Sequence, residues 1–218
     1  MRYVIGIDEA GRGPLAGPVS VGAVLVAHDF DWAHIEGVRD SKKLSEKTRE
    51  RIYERAIEMQ EASCLRFAVA MSSATYIDSY GIVPAINRAL AEVLTKLGSN
   101  PHDTRVLLDG SLKAPTKYIH QETIIRGDDS EPAISLASIM AKVTRDRLMK
   151  QLAPQYPSYG FDVHKGYGTL MHRKRIAEHG LSELHRTTFC TRILLPAQAG
   201  GVESDAKTDA FQEDRVVV

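Results

Sequence analysis

The chain has 218 residues, 43% of them hydrophobic, with 28 Lys and Arg balanced by 28 Asp and Glu. That length suits one full-sized domain with a small appendage, and zero formal charge does not by itself announce a nucleic-acid partner. Two cysteines without Cys-x-x-Cys spacing, no bilayer-length apolar run and no secretion signal point to a reduced cytoplasmic compartment without disulfides, structural zinc or a membrane partner.

Val4–Ile7 is a short β-branched apolar run, predicted to be a buried strand. It meets two adjacent carboxylates, Asp8 and Glu9, and then Gly-Arg-Gly-Pro, which no regular element continues. Val19–Val26 is a second strand, and Pro14 and Pro18 forbid a helix between the two, so an antiparallel pair is expected. Ser45 caps a helix of about 15 residues that buries Ile52, Ala56 and Met59. Leu65–Met71 reads as a third strand, and Ile86–Leu97 as a helix stopped by Gly98. Arg105–Leu108 is a strand ending in Asp109-Gly110, and Tyr118–Ile125 is a fifth. Pro132 opens a long helix to about Leu152, and a glycine-rich stretch leads to a last helix near Met171–Glu178. These elements predict an α/β domain over residues 1–150 with a mixed five-stranded sheet flanked by helices. A helical part over 151–196 is expected to pack on it and line the site. Residues 197–218 carry two basic and five acidic side chains and read as a disordered tail.

Strand alternation puts Ile5 and Ile7 on one face and Val4, Gly6 and Asp8 on the other. Glu9 can share Asp8's site if the strand breaks after Asp8. Asp109 and Asp128 also end or flank core elements. Carboxylates converging at one sheet edge suit Mg²⁺ or Mn²⁺, and two such ions can activate water and stabilise a leaving oxygen in phosphodiester cleavage. Taken singly, each acid also fits a polar turn or a helix N-terminus. Gly11-Arg12-Gly13 lacks the spacing and the helix of a dinucleotide fingerprint, so its glycines read as room for a ligand beside Arg12. On the long helix, Ala133, Ala137 and Ala141 form a small-residue stripe. Lys142 and Arg145 fit phosphate contacts or a solvated face, and Asp146 fits a surface pair with Lys150. Ser41-Lys42-Lys43 is a basic loop, and His164, His172, His179 and His185 lack metal-ligand spacing.

Taken in order, these segments resemble the ribonuclease HII family, the bacterial type 2 ribonucleases H. The matching pieces are Gly6-Ile7-Asp8-Glu9-Ala10-Gly11-Arg12-Gly13-Pro14, Asp40-Ser41-Lys42-Lys43-Leu44, Leu108-Asp109-Gly110, Gly127-Asp128, Ser138 to Asp146, and His164-Lys165-Gly166-Tyr167-Gly168-Thr169. The resemblance implies an RNase H-like fold. It also implies endonucleolytic cleavage of RNA paired to DNA, and of single ribonucleotides in duplex DNA, leaving 3′-hydroxyl and 5′-phosphate ends. Asp8, Glu9, Asp109 and Asp128 match the family's metal-binding acids, with Asp129 leaving the last assignment open by one residue. Gly11, Arg12, Gly13 and Tyr167 match the residues that read the ribose 2′-hydroxyl, the group that separates RNA from DNA. Ser41, Lys42, Lys142 and Arg145 are candidates for flanking phosphates. A monomer is expected, and a replication-clamp contact is left open.

Overall fold

The computed structural model describes residues 1–38 and 44–194. β1 (Tyr3–Ala10) lies at the centre of a five-stranded sheet of order β3-β2-β1-β4-β5. β2 (Val19–Ala27) runs antiparallel to β1 and to β3 (Arg66–Ser72). β4 (Thr104–Asp109) runs parallel to β1 and β5 (Gln121–Ile124) parallel to β4, so the sheet is mixed, as expected.

The alternation in β1 sorts two cores. Ile5 and Ile7 join Val19, Val21 and Val106 beneath α3 (Ile82–Leu97), while Val4 faces the side where Val24 meets Leu136 and Met140 of α5 (Pro132–Leu152). α1 (Glu46–Glu61) closes that second side. Ser45 accepts the Thr48 amide as its cap, and Ile52, Ala56 and Met59 are buried, as their spacing requires. Gly98 ends α3 in the left-handed conformation.

α5 lies unusually close to the sheet because both partners are stripped of side chains along the contact. A Cβ on Gly6 would fall 2.1 Å from the Ala133 carbonyl carbon, and one on Gly22 would fall 2.3 Å from the Ala137 oxygen. The stripe of Ala133, Ala137 and Ala141 is fully enclosed there, and the Ser20 hydroxyl donates to the Ala141 carbonyl at 2.9 Å.

Several elements differ from expectation. β1 does not break after Asp8 but runs to Ala10, because β2 continues to pair with it through Glu9↔Val21 and Ala10↔Ser20. β5 begins at Gln121 rather than Tyr118, since Tyr118 is buried in the α3 core and Gln121 is hydrogen-bonded through its side chain to Ala114. Four helices went unpredicted: α2 (Ala74–Tyr80), the single turns α4 (Gly127–Ser130) and α6 (Phe161–His164), and α8 (Thr187–Leu194). α7 (Leu170–His179) matches the expected last helix to within a residue at each end. No helix among the described residues is long and apolar enough to cross a membrane.

The close approach gives a direct test. Gly22→Ala should destabilise the fold by about 3 kcal/mol or more in urea unfolding, since the obstacle is helix backbone rather than a side chain that can turn aside. Ala137→Gly should fail to restore it. Full rescue by that second change would mean the contact is between side chains after all.

Candidate active site

β1 and β4 run parallel, with Ile7 opposite Leu108, so the residues that follow, Asp8 and Asp109, emerge together at one edge of the sheet. Asp8, Glu9, Asp109 and Asp128 line a single cavity of about 460 Å³. Glu9 reaches it while still paired on the strand with Val21. Ser138, Lys142, Arg49, Tyr167 and the Gly11–Gly13 loop supply the other walls.

Asp8 is nearly enclosed. Burial, and then the charges of Glu9 and Asp109, push its carboxyl up to about 8, against hydrogen bonds from the Ser138 hydroxyl and the Glu9 amide. Glu9 is also raised by burial, opposed by its 2.9 Å ion pair with Arg12. Asp109 Oδ1 accepts the Gly127 amide at 2.8 Å, which ties the end of β4 to the start of α4. That turn presents Asp128 to the cavity and leaves Asp129 exposed beside Arg126. Adjacent helical residues point about 100° apart, so a single turn aims one acid inward and the other away.

All four side chains are oxygen donors, the set that hard divalent cations prefer. A cluster that makes one carboxyl keep its proton near neutral pH is short of positive charge. Among the described residues no three acids are close enough to share an ion as they stand; Glu9 is engaged with Arg12, and Asp109 with the Gly127 amide. The type of donor fits a divalent metal, while the spacing of the acids as they stand does not form a closed site among the described residues.

The long helix divides its basic residues differently from expectation. Lys142 stays at the rim, its Nζ 2.9 Å from Asp146 and 5.1 Å from the centre of the Tyr167 ring. Arg145 is corrected: its side chain has no exposed surface and cannot reach a phosphate. It donates instead to the carbonyls of Pro18, Lys165 and Ala16 at 2.8, 3.0 and 3.1 Å. The expected Asp146–Lys150 pair is also absent, because Asp146 turns inward to Lys142 and Lys150 pairs with Glu46. Ser41 and Lys42 lie outside the described residues.

Two contributors went unread in the sequence. Arg49, in the first turns of α1, reaches the cavity rim. Arg186 is buried beside Arg145 and donates to the carbonyls of Gly11, Arg12 and Gly17 at 2.6, 2.9 and 3.0 Å. Neither carries a spacing signal, because each acts on chain that is distant in sequence. Gly11 has φ +85°, and a Cβ there would lie 2.2 Å from Arg145 Nε, so only glycine fits under this arrangement.

Carboxylates at adjoining ends of two central parallel strands, with a glycine loop and cations at the rim, define a nuclease of the ribonuclease H class. The comparisons agree. A family model for Ribonuclease HII matches residues 5–192. Ribonuclease HII of Bacillus cereus (strain Q1) is 45% identical over 189 residues, covering 87% of this chain and 69% of that protein. Among solved structures, the RNase HII of Archaeoglobus fulgidus, determined with PCNA, superposes with a TM-score of 0.71 at 24% identity, covering 89% and 98% of the two chains. Bst-RNase HIII, determined with Mn²⁺, gives 0.64 at 19% identity, covering 85% and 66%. Both structural likenesses bear on the fold alone. The chain belongs to the ribonuclease HII family, and its chemistry is that of a nuclease acting on an RNA strand.

The charge shortage at Asp8 has a measurable sign. Its folded carboxyl titrates near 8 instead of its ordinary 3.8, so its contribution to stability is complete below about pH 3.8 and is lost as pH rises through about 8. In a metal chelator at about pH 8.5, Asp8→Asn should raise Tm by about 5 °C, and the gain should shrink towards about pH 4. A gain that does not change with pH would mean Asp8 is not desolvated as described.

Proposed function

We propose that the protein hydrolyses the RNA strand of RNA–DNA hybrids and cuts on the 5′ side of single ribonucleotides embedded in duplex DNA, leaving 3′-hydroxyl and 5′-phosphate ends. The observation that carries this reading is the shared cavity, in which four carboxylates, the Gly11–Gly13 loop and Tyr167 face the same space. Asp8, Glu9, Asp109 and Asp128 would hold Mn²⁺ or Mg²⁺, which when bound supplies water activation and charge stabilisation at a phosphodiester.

The chain's own residues do the selecting. Arg186 draws the carbonyls of Gly11 and Arg12 to itself. Because the peptide bonds are trans, the amides of Arg12 and Gly13 turn the opposite way. Two adjacent donors beside a tyrosine hydroxyl suit a ribose 2′-oxygen, which accepts as well as donates. Lys142 and Arg49 at the rim suit the flanking phosphates, where a cation fixes register without reading sequence. A contact with a sliding clamp is a further part of the proposal. Its support is the PCNA complex of the Archaeoglobus relative, and co-elution with the clamp on gel filtration tests it.

Asp109→Asn tests the acids cleanly, since the amide keeps an oxygen to accept the Gly127 amide and loses only the charge. Cleavage of a duplex with one ribonucleotide should fall at least about 1,000-fold in either metal, with Tm preserved. The matching all-DNA duplex should stay uncut by the parent. Cleavage of that duplex, or of branched DNA, would favour a nuclease indifferent to ribose.

A further inference from the structure

Behind Tyr167 lies a packed group of rings that the cleavage chemistry does not use. Phe161 is fully buried at its centre, with Tyr159, His164, His172 and His185 against it. His164, His172 and His185 are therefore core residues, and their hydrogen bonds run in one direction.

The order of donors can be worked out from both ends. The Ser182 amide donates to His185 Nδ1 at 2.9 Å, and the Ser182 hydroxyl, 2.8 Å from the same nitrogen, is free to donate to it too, so the neutral His185 ring carries its proton on Nε2. That nitrogen lies 3.0 Å from His172 Nε2. At the far end His172 Nδ1 lies 3.0 Å from the Tyr167 carbonyl, which can only accept, so His172 carries its proton on Nδ1 and leaves Nε2 free to receive. The two ends fix the same pattern independently. A second proton on either ring would set two N–H groups against each other, and burial pushes both rings down to about 4.

The relay ends where the chain is least regular. Lys165 and Gly166 both have positive φ, and the Tyr167 carbonyl also accepts the Thr169 amide at 2.8 Å, so both of its lone pairs are occupied. His164 is locked in parallel: it accepts the Gly166 amide, bonds the Tyr159 carbonyl through its other nitrogen, and stacks on His172 with ring centres 4.2 Å apart.

We infer that His172 and His185 are positioning residues for ribonucleotide recognition, forming a fixed relay from the Ser182 amide to the Tyr167 carbonyl that sets how the Tyr167 ring enters the cavity. The inference rests on the proposed role of Tyr167 at the ribose, and on nothing that the acids do.

Two measurements test it. Long-range ¹H–¹⁵N NMR on the unmodified protein reads the imidazole tautomers. The expected result is Nδ1–H on His172 and Nε2–H on His185; the opposite tautomer on either ring overturns the relay, whatever the protein cleaves. In kinetics with Mn²⁺ on a duplex carrying one ribonucleotide, His172→Phe should lower kcat/KM about tenfold or more. His172→Asn, whose amide can donate to the same carbonyl, should recover most of that loss. In a Tyr167→Ala background, His172→Phe should cost nothing further, whereas a general loss of structure would be felt equally in both backgrounds. Equal losses, or no loss in the parent background, overturn the inference. Should His172→Phe not fold, His185→Phe serves in the same cycle and the tautomers still decide. An unmodified protein that cuts nothing would instead be a failure of the ribonuclease reading, and the NMR result would stand apart from it.

Discussion

Two buried guanidinium groups hold the glycine- and proline-rich loop after β1 in its shape. Arg145 and Arg186 together receive six carbonyls, those of Gly11, Arg12, Ala16, Gly17, Pro18 and Lys165. The nearest carboxylate oxygen to Arg145 is 4.0 Å away, on Asp146. Carbonyl dipoles therefore carry most of the compensation. Hydrogen bonds to a charged group contribute about 1.5–3 kcal/mol each, against a desolvation penalty of several kcal/mol per ion. The balance closes only when every acceptor is in place. Burial and mutual repulsion lower Arg186 to about 9, which still leaves it charged near neutrality. A segment with two prolines and almost no ladder of its own thus acquires a single conformation from the two side chains beneath it.

α5 links this clip to the acids. Ser138, Lys142 and Arg145 follow one another at helical spacing, and each faces a different part of the site: the Asp8 carboxyl, the cationic rim and the loop. Their common frame is the close contact of α5 with Gly6 and Gly22. A shift of the helix by the width of one methyl group would move all three together. The same contact helps to explain why Asp8 is so deeply buried, since the strand face that carries it is pressed against the helix at Gly6 and Gly22. Depth of burial and precision of placement are two results of one packing decision.

Much of this was legible in the sequence, for identifiable reasons. The period-2 pattern of β1, the Ser45 cap, the alanine stripe and the proline start of α5 are local signals, and the structure follows them. The failures involve partners far away in sequence. α8 begins with β-branched threonines that favour strands, yet Asp78 accepts the amides of Thr187 and Thr188 from more than 100 residues upstream and starts the helix there. Arg145 read as a phosphate contact or a solvated cation because it shares a helix face with Ser138 and Lys142. Its acceptors are carbonyls of an irregular loop, and carbonyls leave no mark in a sequence. The histidines, whose lack of metal-ligand spacing was all the sequence showed of them, gave no sign of the core that Phe161 and Tyr159 offer. The Gly127-Asp128 motif favours Asp128 over Asp129, and the single helical turn at that point, which the sequence did not disclose, is what aims Asp128 at the cavity.

The acids and the recognition loop are held by forces of different strength, and they meet at Arg12 and Glu9. Asp8 is fixed by burial and Asp109 by a backbone amide, so neither can move without disturbing the sheet. Glu9 is held by an ion pair whose arginine side chain is 47% exposed, an arrangement worth about 0–1 kcal/mol in water. That is too little to resist a divalent cation approaching the same carboxylate. It also leaves the Arg12 side chain weakly held while its backbone stays clipped to Arg186. Under the proposed function, the loop would combine a rigid main chain for a sugar hydroxyl with a weakly held side chain for a phosphate. Separating those two roles requires the guanidinium beneath the loop to be buried and the guanidinium upon it to be exposed, as Arg186 and Arg12 are.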